Sequence, residues 1–203
     1  MRLCAIVMCL LVGGVSVAAA QEPAAAVGVK AGVNFANLKF EGEGVDVSFD
    51  RRTGFVGGLF VVWPTNSLVA LQTEALYSQQ GAKVDEAGAS ASIKLDYVTV
   101  PVMLRVSSPP SRQASFHVFG GPSLGFRVRA RSSGTFEGET SSEDISEDVE
   151  RFDLGVTAGA GFDVGRLTID GRYTWGLTNI NKDDSDDVKI KNRVFSIMAG
   201  VRF

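Results

Sequence analysis

The chain has very few residues of the kinds that carry catalysis or bind metals. Its 203 residues include two cysteines and one histidine. Both cysteines, Cys4 and Cys9, lie in an N-terminal segment that we expect to be removed, and the remainder then has no disulfide, thiol nucleophile or cysteine-ligated metal. The single His117 could be combined with Ser115 and an acidic neighbour as a hydrolytic triad, but no nucleophile motif accompanies it. We therefore predict no enzyme activity, no metal site and no cofactor.

Long hydrophobic runs are absent beyond the N-terminus. No later stretch approaches the ~18 consecutive apolar residues of a transmembrane helix. The N-terminus has the layout of a secretory signal, with Arg2, an apolar run over Leu3–Val15 and three alanines before Gln21. The sequence therefore predicts a cleaved signal peptide at residues 1–20, a short lead-in at 21–25 and one domain at 26–203.

The sequence also lacks an excess of basic charge. It has 20 basic and 23 acidic residues, a formal net charge of −3. Nucleic-acid-binding domains carry clustered basic charge, so we expect no nucleic-acid partner. The glycines at 159, 161 and 165 have neither the spacing nor the following helix of a dinucleotide-binding loop. An exported chain with these properties is either soluble in the periplasm or integral to an outer membrane.

The clearest positive signal is an alternation that runs from Phe152 to Ile180. Apolar residues occupy every second position on both sides of a Gly165-Arg166 corner, and mostly small or charged residues lie between them. A period of two predicts β-strands, and the corner predicts a hairpin. Each strand exceeds the ~9–11 residues that a tilted strand needs to cross a bilayer.

The same alternation recurs along the chain and predicts eight strands. Their approximate bounds are 26–38, 51–63, 67–80, 93–106, 115–131, 152–164, 167–178 and 192–203. The connections alternate between long and short, as in outer-membrane barrels with long extracellular loops and short periplasmic turns. Proline cannot donate to a strand ladder, so we expect a bulge at Pro101. The predicted fold is all-β, an eight-stranded antiparallel up-and-down transmembrane β-barrel with both termini in the periplasm.

Charged residues distinguish the lumen from the lipid-facing side of this barrel. Those that lie opposite the apolar positions are Lys30, Glu74, Asp153, Asp170, Arg172 and Arg202. A soluble barrel of the lipocalin type would need the reverse arrangement. Buried charges are costly unless paired, which favours ion pairs filling the lumen, although paired carboxylates for hydrolysis are an alternative. Aromatic residues near the strand ends predict two girdles at the membrane interfaces.

Short motifs spaced along the chain carry a family resemblance. They are Gly28-x-x-x-Gly32-x-Asn34, Glu74-x-x-Tyr77-Ser78-x-x-Gly81, Tyr97-x-x-x-Pro101, Gly120-Gly121-Pro122, Gly159-x-Gly161, Tyr173-x-x-Gly176-Leu177-Thr178-Asn179-Ile180 and Gly200-x-x-Phe203. In their order and spacing the chain resembles the outer-membrane β-barrel domain family often labelled "porin family", which includes PorT-like small outer-membrane proteins. The resemblance covers Ala26 to the end and implies a barrel inserted from the periplasm. The last strand, ending in Phe203, resembles the signal read by the outer-membrane assembly machinery.

The resemblance implies no activity, and an eight-stranded interior is just wide enough for side chains to fill. We expect a non-enzymatic, monomeric protein of the bacterial outer membrane, a rigid anchor whose extracellular loops serve surface interaction or envelope integrity. The alternative is a narrow porin-like channel for ions or small solutes, and a membrane-embedded enzyme is a third hypothesis.

Two acidic loops bear on the partners of this protein. Ser132–Glu150 is the longest loop, and it is the candidate site for an extracellular partner because binding residues commonly lie on loops of a rigid scaffold. The other expected partners are outer-membrane lipid and lipopolysaccharide, to which divalent ions could bridge these loops. The run Asp183–Asp187 lacks the glycine and the late bidentate ligand of a calcium loop.

Overall fold

The structure is a computed structural model that describes residues 25–41, 50–86, 89–109, 114–136, 139–146, 149–180 and 189–203. The predicted signal peptide, most of the lead-in and the acidic run at 181–188 lie outside the described residues. The strands of the described part are β1 (Ala26–Glu41), β2 (Asp50–Pro64), β3 (Val69–Glu86), β4 (Ala89–Ser107), β5 (Ala114–Phe136), β6 (Glu139–Asp144), β7 (Phe152–Val164), β8 (Leu167–Gly176) and β9 (Lys189–Arg202). In this part of the chain, no helix is long and apolar enough to cross a membrane.

Eight of these strands form a closed antiparallel barrel. Neighbours in the chain pair from β1 to β5, β5 continues to β7, and β7, β8 and β9 follow in order. The ring closes where β9 pairs with β1 over a register that runs from Gly28–Arg202 to Glu41–Lys189. β6 pairs only with the outer part of β5. The predicted eight-stranded up-and-down barrel is confirmed.

The barrel exposes its apolar side chains and buries its charged ones. Along β7 and β8 exposed and buried positions alternate, and the exposed ones include Leu154, Phe162 and Ile169, each with more than half of its surface accessible. Inside, Glu74 and Arg172 are only 3% and 4% exposed. An outward apolar band needs an apolar solvent, which is the lipid of a bilayer.

Aromatic pairs lie at both rims of the apolar band. Phe126 packs edge-to-face on Phe152, with ring centroids 5.3 Å apart, at the end where the long connections lie. Phe116 packs on Phe162 at 5.2 Å near the short connections. These positions agree with the two interfacial girdles that the sequence predicts.

The predicted bulge at Pro101 is wrong. The register of β3 and β4 is the same on both sides of the proline, with Thr73 opposite Val102 and Leu76 opposite Thr99. Pro101 interrupts the ladder without an inserted residue, and its carbonyl accepts a hydrogen bond from the Thr73 hydroxyl at 3.2 Å. The register shifts instead between Arg51 and Val56 and at Asp96, positions that carry no proline.

Two of the predicted long loops are largely strands. β3 and β4 continue to Glu86 and Ala89 through most of the predicted loop at 81–92. β5 continues to Phe136 and forms a hairpin with β6 inside the predicted loop Ser132–Glu150. These segments lie beyond the apolar band, so their outward residues are polar and do not continue the apolar alternation that identifies the membrane strands.

Candidate functional site: the lumen and its outer cap

Four charged side chains from three strands form a closed network in the lumen, called here the lumen network. Lys30 of β1 lies 2.8 Å from Glu74 of β3 and 2.8 Å from Asp170 of β8. Arg172 donates to both oxygens of Glu74, at 2.6 and 3.0 Å, and to Asp170 at 2.9 Å. Two cations therefore balance two carboxylates, and every one of the four is buried.

The neighbours of Lys30 explain how these side chains meet. On the lumen face Lys30 lies between Gly58 on β2 and Gly200 on β9. Neither glycine has a side chain, so the lysine can extend across the lumen to strands that are not its neighbours. Its ammonium also lies 4.6 Å from the centre of the Phe60 ring, a favourable cation–π arrangement.

A chain of polar contacts continues the lumen network towards the end of the barrel with the short connections. Gln72 donates to Glu74 at 2.6 Å and accepts from Arg105 at 3.0 Å. Arg105 in turn forms an ion pair with Asp163. Arg202 lies 3.5 Å from the other oxygen of Asp163, at the mouth of the lumen near the short connections.

His117 lies in this lower part of the lumen but is not part of a catalytic triad. Its Nδ1 lies 3.1 Å from Arg105, which can only donate, so this nitrogen is an acceptor. Ser115 reaches Asp163 at 3.5 Å, and no hydrogen bond joins it to His117. A triad needs a nucleophile held by its base, and this geometry lacks that contact. The histidine ring packs instead on Phe119, with centroids 5.8 Å apart.

The middle of the lumen is lined by hydroxyl and amide groups and is nearly filled. Asn34 donates to Ser78 at 2.8 Å and accepts from Ser196 at 2.7 Å. Thr157 and Thr174 share a hydrogen bond of 2.8 Å. Two adjacent cavities of about 30 and 20 Å³ remain here. Each has room for a water molecule or two rather than for a solute.

An apolar cluster, called here the outer cap, lies in the lumen at the end where the long connections lie. Its buried members are Leu38, Ala82, Leu95, Tyr97, Ala130, Val149 and Ile180, with Ile93, Ile145 and Ile190 packed against them. Three of these, Ile145, Val149 and Ile180, belong to connections between strands rather than to the barrel wall. The connections therefore fold inward over the lumen.

Arg127 holds one of these connections in place. From the lumen face of β5 it donates to the backbone carbonyls of Ser146, Val149 and Glu150, at 2.6, 3.0 and 3.2 Å. The Glu150 amide donates in turn to the Ile180 carbonyl at 2.9 Å. Sequence analysis missed this contact, and it missed the cap. The available signal was a few isolated apolar residues in otherwise polar loops.

The described part of the acidic loop offers no metal site. Among the described residues, no group of three or more histidine, cysteine, aspartate or glutamate side chains could hold a metal ion. Asp144 accepts a hydrogen bond of 2.9 Å from the Ser146 amide. Hydrogen bonds from Ser146 hold the pKa of Asp144 below its usual value. Asp144 is therefore a stable negative charge at the end of β6.

Comparisons with known proteins found one family model and several similar solved structures. A family model described as outer membrane protein beta-barrel domain matches residues 19–182. No curated protein matches the chain in sequence. Among solved structures, the chain is similar to Neisserial surface protein A (18% identity, 89% of this chain and 99% of that one, TM-score 0.49). It is also similar to Ail, the attachment invasion locus protein of Yersinia pestis (17% identity, 88% of this chain and 98% of that one, TM-score 0.46). A third similar structure is OprG from Pseudomonas aeruginosa (12% identity, 89% of this chain and 96% of that one, TM-score 0.42).

Proposed function

Because this chain belongs to the family described as outer membrane protein beta-barrel domain, we propose that it acts as a non-enzymatic anchor with a closed lumen. The anchor holds an extracellular sheet, formed by β6 and the outer parts of β3, β4 and β5, rigidly above the outer membrane. There the sheet is available for surface interaction. The single observation that supports this proposal is that side chains fill the lumen at two levels, with the lumen network below and the outer cap above.

The closed lumen is supported by the cost of opening it. A conducting path would have to separate the buried ion pairs of Lys30 and Arg172 with Glu74 and Asp170. Breaking one buried pair typically costs about 3–5 kcal/mol, because a charge is left without compensation. A path would also need the outer cap to move aside, together with the connection that Arg127 holds.

Planar-bilayer recording tests the closed lumen. We expect the purified protein to give no stable openings at neutral pH. A matched control removes one charge of each sign and part of the cap, with the changes Asp170→Ala, Arg172→Ala, Leu95→Ala and Tyr97→Ala. Openings in this control show that the assay detects a barrel of this size. Frequent, stable openings of the unaltered protein would overturn the proposal in favour of a narrow channel.

The extracellular sheet is built from β3, β4, β5 and β6. Beyond the row of Tyr77, Val98 and Phe126, β5 continues to Phe136, about 30 Å of additional strand. β6 is the last strand of the sheet, so one edge of β6 is unpaired in the described part of the chain. Unpaired strand edges bind extended segments of other proteins, and here we place the extracellular partner expected for Ser132–Glu150.

Protease treatment of intact cells tests the orientation of this sheet. Ser141–Asp144 is exposed along its whole length, and Glu143 lies within it. A Glu-specific protease should therefore cut the hairpin in intact cells while the barrel stays embedded and heat-modifiable on gels. Cutting only after lysis would show that the sheet faces the periplasm.

Phe203 is the proposed contact with the assembly machinery. Its amide donates to the Val27 carbonyl at 2.8 Å, beside the β9–β1 seam, and its side chain is 75% exposed. Deleting Phe203 should leave the chain in the periplasm, measured by fractionation of the two compartments. Normal insertion of the shortened chain would show that its last residue has no special part in assembly.

A further inference from the structure

Three cations lie together on the outer wall of the barrel, just above its apolar band. The upper edge of the apolar band on this wall is the row of Tyr77, Val98 and Phe126, which lie opposite one another on β3, β4 and β5. The rows above it pair Asp96 with Arg129, then Lys94 with Arg131. Successive rows on one face are about 6.6 Å apart along the strand. We call Lys94, Arg129 and Arg131 the outer basic patch.

A bulge in β5 turns both arginines outward. Tyr97 pairs with Arg127 but Asp96 pairs with Arg129, so Val128 is an extra residue on β5. Above the bulge Leu95 and Ala130 are the inward pair, and neither has any accessible surface. Their neighbours Lys94 and Arg131 must therefore point away from the lumen, and both are exposed.

The pairing of Lys94 with Arg131 is electrostatically unfavourable by itself. Side chains directly opposite in an antiparallel pair have Cβ atoms about 5 Å apart, and like charges at these positions destabilise the sheet. On its other side Lys94 faces Gly81, which has no side chain. The ion pairs of the described residues do not include a member of the outer basic patch, and Arg131 has only a longer-range electrostatic interaction with Asp144.

The neighbouring carboxylates do not neutralise the outer basic patch. Asp96 lies opposite Arg129 but also interacts with the guanidinium of Arg52. Asp144 lies opposite Arg131 on the free strand β6. Three cations therefore share two carboxylates, one of which has a further cation. The outer basic patch therefore keeps an excess of positive charge, and a phosphate group fits between an arginine and a lysine because it accepts several charge-assisted hydrogen bonds.

The position of the outer basic patch indicates whether a lipid phosphate or a free phosphate ion fits it better. Directly below the outer basic patch lie Val98, Phe126 and Val128, with 37%, 38% and 56% of their surfaces exposed to lipid. A ligand at this depth meets cations and an apolar wall at once, which suits a lipid rather than a free ion. We propose that the outer basic patch binds the phosphate of a multiply acylated anionic lipid of the outer leaflet, whose acyl chains pack along these three residues.

Native mass spectrometry of the full-length exported protein in detergent tests the site. The probes are diphosphoryl lipid A, the same lipid A without phosphates, and inorganic phosphate. We expect retention of the phosphorylated lipid to exceed that of the dephosphorylated one by about tenfold or more, because two or more charge-assisted bonds are at stake. The variant Lys94→Gln/Arg131→Gln should lose this preference.

A matched control removes one outward cation from the opposite wall. Arg193 lies on β9, one row above Phe195, and pairs with Asn37 and Trp175. The variant Arg193→Gln should keep the full preference for phosphorylated lipid. Heat-modifiability checks that each variant is folded, and the single variants Lys94→Gln and Arg131→Gln replace the double one if it fails.

Three results would overturn the proposal. One is equal retention of the two lipids by the unaltered protein. The second is an unchanged preference in the variants of the outer basic patch. The third is displacement of the lipid by inorganic phosphate at equal concentration, which would indicate a site for a free anion.

Discussion

The lower and upper parts of the lumen are filled by opposite kinds of chemistry. The lumen network below consists of Lys30, Glu74, Asp170 and Arg172, and each charge is satisfied only by particular partners. The outer cap above consists of apolar side chains that need only exclude water. The lower closure should therefore tolerate almost no substitution, whereas the upper one should accept any change that conserves apolar volume.

The largest expected effect tests the specificity of the lumen network. Glu74→Ala leaves Lys30 and Arg172 sharing one carboxylate, so we expect a loss of about 3–5 kcal/mol in the free energy of unfolding. Urea unfolding in lipid vesicles, followed by the fluorescence of Trp63 and Trp175, measures it. Adding Arg172→Met to a Glu74→Leu variant restores the balance of one cation and one anion. If this double variant is no more stable than Glu74→Ala, charge balance is not what the network supplies.

A smaller effect tests the tolerance of the outer cap. Leu95 has no accessible surface, so Leu95→Ala should cost about 2–4 kcal/mol through the cavity it leaves. Leu95→Met keeps most of the volume and should cost less than about 1.5 kcal/mol in the same unfolding assay. A methionine variant as unstable as the alanine one would mean that the cap is as exacting as the lumen network.

Arg127 combines charged and apolar packing, because its guanidinium holds in place the connection that carries Ile145 and Val149 of the outer cap. Arg127→Ala leaves the carbonyls of Ser146, Val149 and Glu150 without their donor, and we expect a local loss of about 1–3 kcal/mol. Limited trypsin digestion at Arg151 should speed up while the barrel stays heat-modifiable. Arg127→Lys, which keeps the charge, is the control and should be cleaved at an intermediate rate. An unchanged rate for Arg127→Ala would show that the apolar contacts alone hold the connection.

The smallest effect is expected where the chain of charges reaches water. Arg202 has a side chain that is 23% exposed and lies 3.5 Å from Asp163. Exposed ion pairs contribute about 0–1 kcal/mol, so Arg202→Gln should change stability by less than about 1 kcal/mol. An effect as large as that of Glu74→Ala would place Arg202 inside the lumen network rather than at its edge.

The membrane part of this fold could be predicted from the sequence because lipid imposes a strict alternation on it. That alternation places Lys30, Glu74 and Asp170 on the lumen face. The alternation could not show which of these side chains form ion pairs, because the partners lie on strands that are not neighbours. Their positions along the barrel axis depend on the strand register around the whole barrel.

Outside the lipid the same method fails for a physical reason. In the outer parts of β3, β4 and β5 the apolar residues lie on the lumen face, in or against the outer cap, and no lipid keeps the outward positions apolar. The membrane alternation therefore does not continue there. The outer cap is equally invisible, since Ile145, Val149 and Ile180 are single apolar residues whose burial depends on how the connections fold. Arg127 lies on the lumen face of β5, but its three carbonyl partners come together only after that folding.

The side-chain directions that the bulge at Val128 establishes also limit how the outer half of β5 can change in length. Faces alternate with every residue, so one insertion or deletion above the bulge would send Arg131 into the outer cap and Ala130 into the lipid headgroups. Two residues added or removed together would restore the faces. Descendants of this sequence could thus lengthen or shorten the extracellular sheet in steps of two, while single-residue changes would have to be absorbed by another bulge.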